Sequence, residues 1–113
     1  MSVRSSTLEN SIGLIEASGS LIGGDETEKL RRTVVDFTAR DYNKLLIDLS
    51  GVTYLNSTAI GVLVAAHTTY SKKGWQIKLC GINKNIDSIF VITRLALVFD
   101  VHETRQDAIK SFK

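Results

Sequence analysis

The sequence predicts a single α/β domain with a mixed, mostly parallel sheet of about five strands and with about four helices. Short apolar runs bounded by turn residues alternate along the chain with longer segments of helical periodicity. The run Leu45-Leu46-Ile47 is unbroken, which is typical of a strand that is covered on both faces. Alternating strands and helices favour parallel strands with right-handed crossovers, and an opening hairpin makes the sheet mixed.

The first part of the chain predicts that hairpin. Segment 11–18 carries apolar residues among polar ones, segment 3–8 is a weaker strand before it, and Asn10 lies at the turn. A loop with two glycines follows, and Asp25 is the predicted N-cap of the first helix, with Glu28 completing a capping box. This helix is expected to extend to about residue 38.

The central segment predicts a buried strand over 44–49, a connector over 50–56 and a second helix over 58–72. Helical spacing places four residues on the inward face of that helix, and Gly74 ends it. These four residues are Ile60, Leu63, Val64 and His67.

The last third of the chain predicts two more strand–helix pairs. The predicted strands are 76–80 and 99–101, and the predicted helices are 83–93 and 104–112. Thr104 is the expected N-cap of the last helix, because Asp107 follows three residues later.

Composition excludes several function classes. The 113 residues suit one domain, 1–113, and the net charge of +2 comes from scattered residues, which argues against nucleic-acid and membrane partners. The longest apolar stretches are far shorter than the ~20 residues needed to cross a bilayer, and the first residues lack a signal-peptide pattern. We therefore expect a cytoplasmic protein. The single cysteine, Cys80, ends an apolar run and is predicted to be buried.

Motifs for catalysis and cofactor binding are absent from the sequence. It contains no P-loop, and two glycines before a helix are only a weak phosphate signal. His67 and His102 have no partners at metal-ligand spacing, so we expect a packed or half-buried His67, a solvated His102 and no metal or cofactor. Ser57, His67 and Asp48 do not form a convincing triad, because no nucleophile elbow surrounds the serine. The sequence therefore predicts a protein that is not an enzyme.

The informative stretch is 46–61, which reads LIDLSGVTYLNSTAIG. It resembles the core signature of STAS domains, especially the bacterial anti-sigma factor antagonists, in which a buried strand leads to a serine that opens a helix. The segments 19–24, 77–81 and 95–101 resemble the family's early loop, its next strand and the region before its last helix. The resemblance covers nearly the whole chain in order and implies a single STAS-like domain.

The resemblance implies a partner switch. An antagonist of this family, when unphosphorylated, binds an anti-sigma factor that is a serine kinase of the GHKL type, and the sigma factor is released. The kinase phosphorylates the serine at the start of the second helix, and a PP2C-type phosphatase restores the antagonist. The matching serine here is Ser57, with Thr58 as a second possible acceptor.

The chemistry of a helix start fits this role. A serine there is usually a stabilising N-cap, which is the alternative interpretation of Ser57. The N-terminal end of a helix also favours an anion, so a phosphate could be added without unfolding the helix. Two residues depart from the family pattern: Asn56 replaces the usual aspartate, and Ala59 replaces a glycine.

The partner-binding surface is expected around the second helix start and the loop before the first helix. The candidate residues are Leu21, Ile22, Gly23, Gly24, Asp25, Tyr54, Asn56, Ser57 and Thr58. Leu21 and Ile22 could instead belong to the core, and Tyr54 could be a half-buried anchor of the connector. Two other functions stay open: a STAS scaffold in a stress-sensing or transporter-associated complex, and a small-molecule sensor with the same fold.

Overall fold

The computed structural model describes residues 2–112 and confirms the α/β class, with a five-stranded mixed sheet in the order β1-β2-β3-β4-β5. β1 pairs antiparallel with β2, and the other neighbours are parallel. The strands are β1 Ser2–Leu8, β2 Ile12–Leu21, β3 Lys44–Leu55, β4 Gln76–Cys80 and β5 Asp100–His102. The helices are α1 Asp25–Ala39, α2 Ser57–Lys72, α3 Lys84–Thr93, α4 Leu95–Val98 and α5 Arg105–Ser111.

The predicted hairpin is confirmed. A 3-10 turn over Glu9–Ser11 joins its strands, and both Asn10 (φ 65°) and Ser11 (φ 59°) adopt the left-handed conformation. The β1–β2 ladder is unbroken from Ser2↔Ser18 to Leu8↔Ile12. β1 is therefore a regular strand at one edge of the sheet.

The sequence prediction of a connector over 50–56 is wrong, because β3 continues as a strand to Leu55. Past Asp48 the strand still pairs with β2, through Gly51, Val52, Tyr54 and Leu55, with two register shifts in the ladder. β2 likewise extends to Leu21, which pairs with Leu55. The extra pairing brings the two strands to a common end directly before α2.

The two faces of the sheet carry unequal layers. The larger core cluster joins buried side chains of β2, β3 and β4 to those of α1, α2 and α3, including Leu30, Leu63 and Phe90. The smaller cluster on the opposite face contains Leu14, Leu46 and residues of α5. Cys80 belongs to it and is fully buried, as predicted, and burial raises the pKa of its thiol to about 12.

The inward face of α2 differs from the prediction. The buried residues of α2 are Ala59, Leu63, Ala66 and Tyr70. Val64 is 37% exposed, and Ile60 and His67 are only half-buried at the side of the core. Apolar residues occur on almost every side of this helix, so periodicity alone could not select the face that packs.

His102 corrects a second expectation. Its side chain was expected to be solvated but is mostly buried, with 20% of its surface exposed. Its Nε2 lies 3.0 Å from Asp100 Oδ1 and 3.2 Å from Ser111 Oγ. The one-turn helix α4 was also not predicted. It follows a left-handed Arg94 (φ 60°), which ends α3. Among residues 2–112, no helix has the length and apolarity needed to cross a membrane.

Candidate functional site

The predicted site residues lie at the end of the sheet where the parallel strands terminate. β2 and β3 end there side by side, at Leu21 and Leu55. The Asn56 backbone N–H donates to the Leu21 carbonyl at 3.0 Å, so the loop before α1 and the start of α2 are held together. This is the edge at which open α/β sheets usually present their binding groups.

Asn56, and not Ser57, is the N-cap of α2. Its Oδ1 accepts a hydrogen bond from the Ala59 N–H at 3.0 Å, and its carbonyl accepts from the Ile60 N–H at 3.0 Å. Ser57 is the first residue of the helix. The alternative interpretation of Ser57 as the N-cap of this helix is therefore wrong by one position, because the amide of Asn56 performs that role.

This shift leaves the Ser57 hydroxyl available. The side chain is exposed, and within residues 2–112 its oxygen makes no hydrogen bond. The backbone N–H groups of Ser57 and Thr58 belong to the first turn, so the helix supplies no acceptor for them. An exposed hydroxyl thus lies beside unsatisfied donors at the positive end of the helix dipole.

The loop before α1 forms the other side of the site. Gly23 adopts a left-handed φ of +88°, and its N–H donates to Thr27 Oγ1 at 3.0 Å. A Cβ at Gly23 would lie 3.5 Å from both Asn56 Nδ2 and Thr58 Cβ, so the loop packs directly against the start of α2.

The predicted capping box of α1 is absent. Gly24 is the N-cap and Asp25 is the first helical residue, with no side-chain capping hydrogen bond. Glu28 pairs instead with Arg31, which lowers the pKa of the Glu28 carboxyl. Asp25 is left as an exposed acidic group beside the loop.

The nine candidates divide by exposure. Leu21 is 0% exposed, which corrects its assignment to a partner-binding surface: the longer β2 places its side chain in the core. Ile22 is 58% exposed and Tyr54 is 49% exposed, so neither is a core residue. The other exposed candidates are Gly23, Gly24, Asp25, Ser57 and Thr58, and Asn56 is half-buried.

Comparison with known proteins identifies the family. A model of the STAS domain family matches residues 6–108 of this chain. The chain belongs to the STAS domain family. A Thermotoga neapolitana homologue of TM1081, named as a candidate anti-sigma factor antagonist, is 28% identical over 75 residues, which span 66% of this STAS domain and 66% of that protein.

Solved structures show the same fold. The anti-sigma factor antagonist candidate TM1081 of Thermotoga maritima has a TM-score of 0.87 at 20% identity, over 96% of this chain and 92% of that one. The Bacillus cell fate determinant SpoIIAA, in its phosphorylated form, has a TM-score of 0.76 at 12% identity, over 96% of this chain and 97% of that one. A sulfate transporter family protein from Wolinella succinogenes has a TM-score of 0.78 at 14% identity, over 93% of this chain and 87% of that one.

The structure does not assemble a catalytic triad around Ser57. His67 lies ten residues further along α2, about 15 Å at 1.5 Å per residue, and packs edge-on against Phe99 with ring centroids 5.1 Å apart. Asp48 lies on β3 and is bonded to the Ser50 N–H and to Arg105. The three side chains of this STAS domain therefore lie in separate surroundings and do not act together.

A charged cluster that the sequence analysis missed lies at the opposite face of the sheet. Arg105 Nη2 is 2.8 Å from Asp48 Oδ2 and 3.0 Å from Glu16 Oε2. Burial by itself would raise the pKa of Asp48, but the Ser50 N–H and the Arg105 guanidinium outweigh it and lower that pKa. Asp48 and Glu16 precede Arg105 by 57 and 89 residues along the chain, so no local sequence pattern could have revealed the cluster.

Proposed function

We propose that this STAS domain is an anti-sigma factor antagonist that acts by binding, without catalysis, in the bacterial cytoplasm. In its unphosphorylated form it binds an anti-sigma factor that is a serine kinase of the GHKL type, and the sigma factor is released. Phosphorylation of Ser57 ends the interaction, and a PP2C-type phosphatase reverses it. The observation that carries the proposal is the exposed Ser57 hydroxyl, which makes no hydrogen bond within residues 2–112, at the helix start against which the loop at 22–24 packs.

The helix start tolerates a phosphate on Ser57. The cap of α2 is the Asn56 side chain, so modifying Ser57 removes no capping hydrogen bond. A phosphate adds about −1.5 to −2 charges at the end of the helix that favours an anion. SpoIIAA, which shares the fold, has been solved in a phosphorylated form. The proposed modification therefore changes the surface and leaves the helix folded.

The surroundings explain why a phosphate would weaken partner binding. Ile22 and Tyr54 expose apolar side chains at this edge of the sheet, and Asp25 adds a negative charge. A partner that covers these apolar groups would have to desolvate the phosphate dianion, and acidic groups of the partner would be repelled. Either effect lowers affinity by electrostatics alone.

The test compares Ser57→Asp and Ser57→Ala with wild type. A tagged wild-type protein is used in the native host to isolate the kinase, and binding of the purified pair is then measured by calorimetry. We expect Ser57→Asp to bind at least ~10-fold more weakly, which corresponds to about 1.4 kcal/mol. Ser57→Ala should bind like wild type and should accept no phosphate on incubation with kinase and ATP.

Two controls make this result specific. Ser88→Asp places the same charge on an exposed position of α3 and should leave binding unchanged. Thr58→Ala separates the two candidate acceptors and should still be phosphorylated. Equal binding by Ser57→Asp and wild type would contradict the proposed switch. If Ser57→Ala is still phosphorylated and Thr58→Ala is not, the phosphate acceptor is Thr58.

A second candidate function, a scaffold in a stress-sensing or transporter-associated complex, is favoured by a different surface. Four large apolar side chains of α3 and α4 are exposed: Val91 (68%), Ile92 (80%), Leu97 (81%) and Val98 (44%). Exposed clusters of this kind are typical of interaction surfaces. The fold also occurs in a sulfate transporter family protein.

The scaffold function predicts the opposite mutational pattern. Complexes captured from the host would be lost with Ile92→Ser and Leu97→Ser and retained with Ser57→Asp. The antagonist function predicts that Ser57→Asp loses the kinase. Quantitative mass spectrometry of the four captures, including wild type, distinguishes the two functions.

A further inference from the structure

The two edges of the sheet are formed by β1 and β5, and they differ in length and cover. β5 has only three residues, and its His102 is bonded to Ser111 at the end of α5. β1 has seven residues, Ser2–Leu8, and pairs on one side only, with β2. In an edge strand, alternate backbone N–H and C=O groups point away from the sheet and lack a strand partner.

β1 lacks most of the features that usually prevent an edge from pairing. Natural edge strands are short, contain proline, carry several charges or are distorted by bulges. The chain has no proline, and the register of β1 with β2 is continuous over all seven residues. Arg4 is the only charged residue of the strand. Positions 4–7 are exposed, and their contacts with Glu16 and Tyr42 are made by the side chains of Arg4 and Thr7. In the described sheet no strand lies on the outer side of β1.

The sequence of β1 is compatible with pairing to itself. In a symmetric antiparallel pair of strands, the residue numbers of two opposed residues always add to the same sum. That sum is even, because one residue lies on the two-fold axis opposite its own copy. Centring the pair on Ser5 overlaps the whole strand, with Ser5 opposite Ser5 and Arg4 opposite Ser6. The neighbouring register, centred on Arg4, would place two guanidinium groups directly opposite each other, which is unfavourable. Charge therefore disfavours the register centred on Arg4, and the register centred on Ser5 has the largest overlap of those that remain.

We propose that β1 is a homodimerisation edge, at which two copies pair antiparallel about Ser5 and form one continuous sheet with five strands from each copy. The two-fold axis is perpendicular to the sheet, so α1 and α2 of both copies lie on the same face. The parallel strands of the two copies run in opposite directions. Their carboxyl ends, each with a Ser57, consequently face away from each other and stay accessible in the dimer.

The chemistry of this edge predicts a weak, concentration-dependent dimer. The exposed side chains at 4–7 are one arginine, two serines and a threonine, so backbone hydrogen bonds supply most of the attraction. A polar contact of this size belongs with transient interfaces, and we expect a dissociation constant of roughly 10⁻⁵–10⁻³ M. Dimerisation is therefore to be measured over a wide range of protein concentration.

The experiment uses charge reversal at the two-fold axis. Ser5→Lys and Ser5→Glu each place like charges opposite one another, so each variant alone should dimerise at least ~10-fold more weakly than wild type in sedimentation velocity. An equimolar mixture should recover the dimer as a heterodimer, because lysine then faces glutamate. Ser88→Lys, a charge added on exposed α3, and Ser57→Asp should both dimerise like wild type.

A second measurement does not depend on the variants. Amide hydrogen exchange of the wild-type protein should slow in β1, and not in the three-residue β5, as the concentration is raised. A wild type that stays monomeric up to about 1 mM, a dimer that both Ser5 variants retain, or a variant mixture that does not recover dimerisation would each overturn the proposal.

Discussion

Two adjacent residues at the start of α2 have separate tasks. The Asn56 side chain satisfies the Ala59 N–H, and the Ser57 side chain is left exposed without a hydrogen bond inside the described part of the chain. Most members of the family have an aspartate before the serine, as the resemblance indicates. An asparagine keeps the acceptor oxygen of that aspartate and removes its charge. The departure at Asn56 therefore preserves the structural role of the position.

This division predicts unequal effects of alanine substitutions. Asn56→Ala removes the cap and should lower the free energy of unfolding by about 1 kcal/mol. Ser57→Ala should change it by less than ~0.5 kcal/mol, because its hydroxyl makes no bond within residues 2–112. Urea denaturation of the two variants measures both values.

Asn56→Asp is the matched control for the cap. A carboxylate accepts the same N–H and is favoured at the helix N-terminus, so this variant should be at least as stable as wild type. A larger loss for Ser57→Ala than for Asn56→Ala would show that the serine is the true cap.

At the scale of elements, α5 depends on charged and apolar contacts with the sheet. The helix has seven residues, too few to be stable alone, and its N-cap is Thr104, whose Oγ1 accepts the Asp107 N–H at 3.1 Å. Ala108 is fully buried against the smaller core cluster. Arg105 joins the first turn of α5 to Asp48 on β3 and Glu16 on β2. The C-terminal helix is thus attached to two strands at once.

Arg105→Met should break this attachment and keep most of the side-chain volume. Asp48 would lose its cation while 7% exposed, and we expect a loss of about 1–2 kcal/mol, limited by the partial exposure of Arg105. Arg4→Met, at a side chain that is 73% exposed, should cost much less. Equal losses in the two variants would contradict the role given to Arg105.

The same pair predicts a pH dependence. The pKa of Asp48 is lower in the folded protein than in the unfolded chain, so its contribution to stability is complete above the ordinary value of 3.8 and is lost as the pH falls through the folded value. The stability difference between wild type and Arg105→Met should therefore narrow below pH 3.8. A difference that stays constant as the pH falls below 3.8 would show that the Asp48 carboxylate is not involved.

At the scale of the whole molecule, the proposed surfaces lie on separate borders of the sheet. The candidate partner surface is at the ends of β2 and β3, and the proposed dimer edge is the free side of β1. The exposed apolar cluster of α3 and α4 lies on a third part of the surface. Substitutions at Ser57, Ser5 and Ile92 consequently test three different interactions of one small domain.

Much of the fold could be predicted because local physics determines it. The apolar run at 45–47, the turn at Asn10 and the cap at Thr104 each depend on residues close in the chain, and the structure confirms them. The strand Gln76–Cys80 has the predicted bounds. The STAS signature at 46–61 likewise lies within one continuous segment, which is why the family could be recognised from the sequence.

Tertiary contacts decided the rest. β3 extends to Leu55 because β2 continues beside it, and this pairing buries Leu21 and places the cap on Asn56. The packed face of α2 depends on which of its apolar sides meets the sheet. The cluster around Arg105 depends on segments that are distant in the chain. Sequence by itself determined the order of elements and the family, since these follow from short-range patterns. Which side chains are buried or exposed at the site was determined only by long-range packing, because that depends on neighbours supplied by other strands.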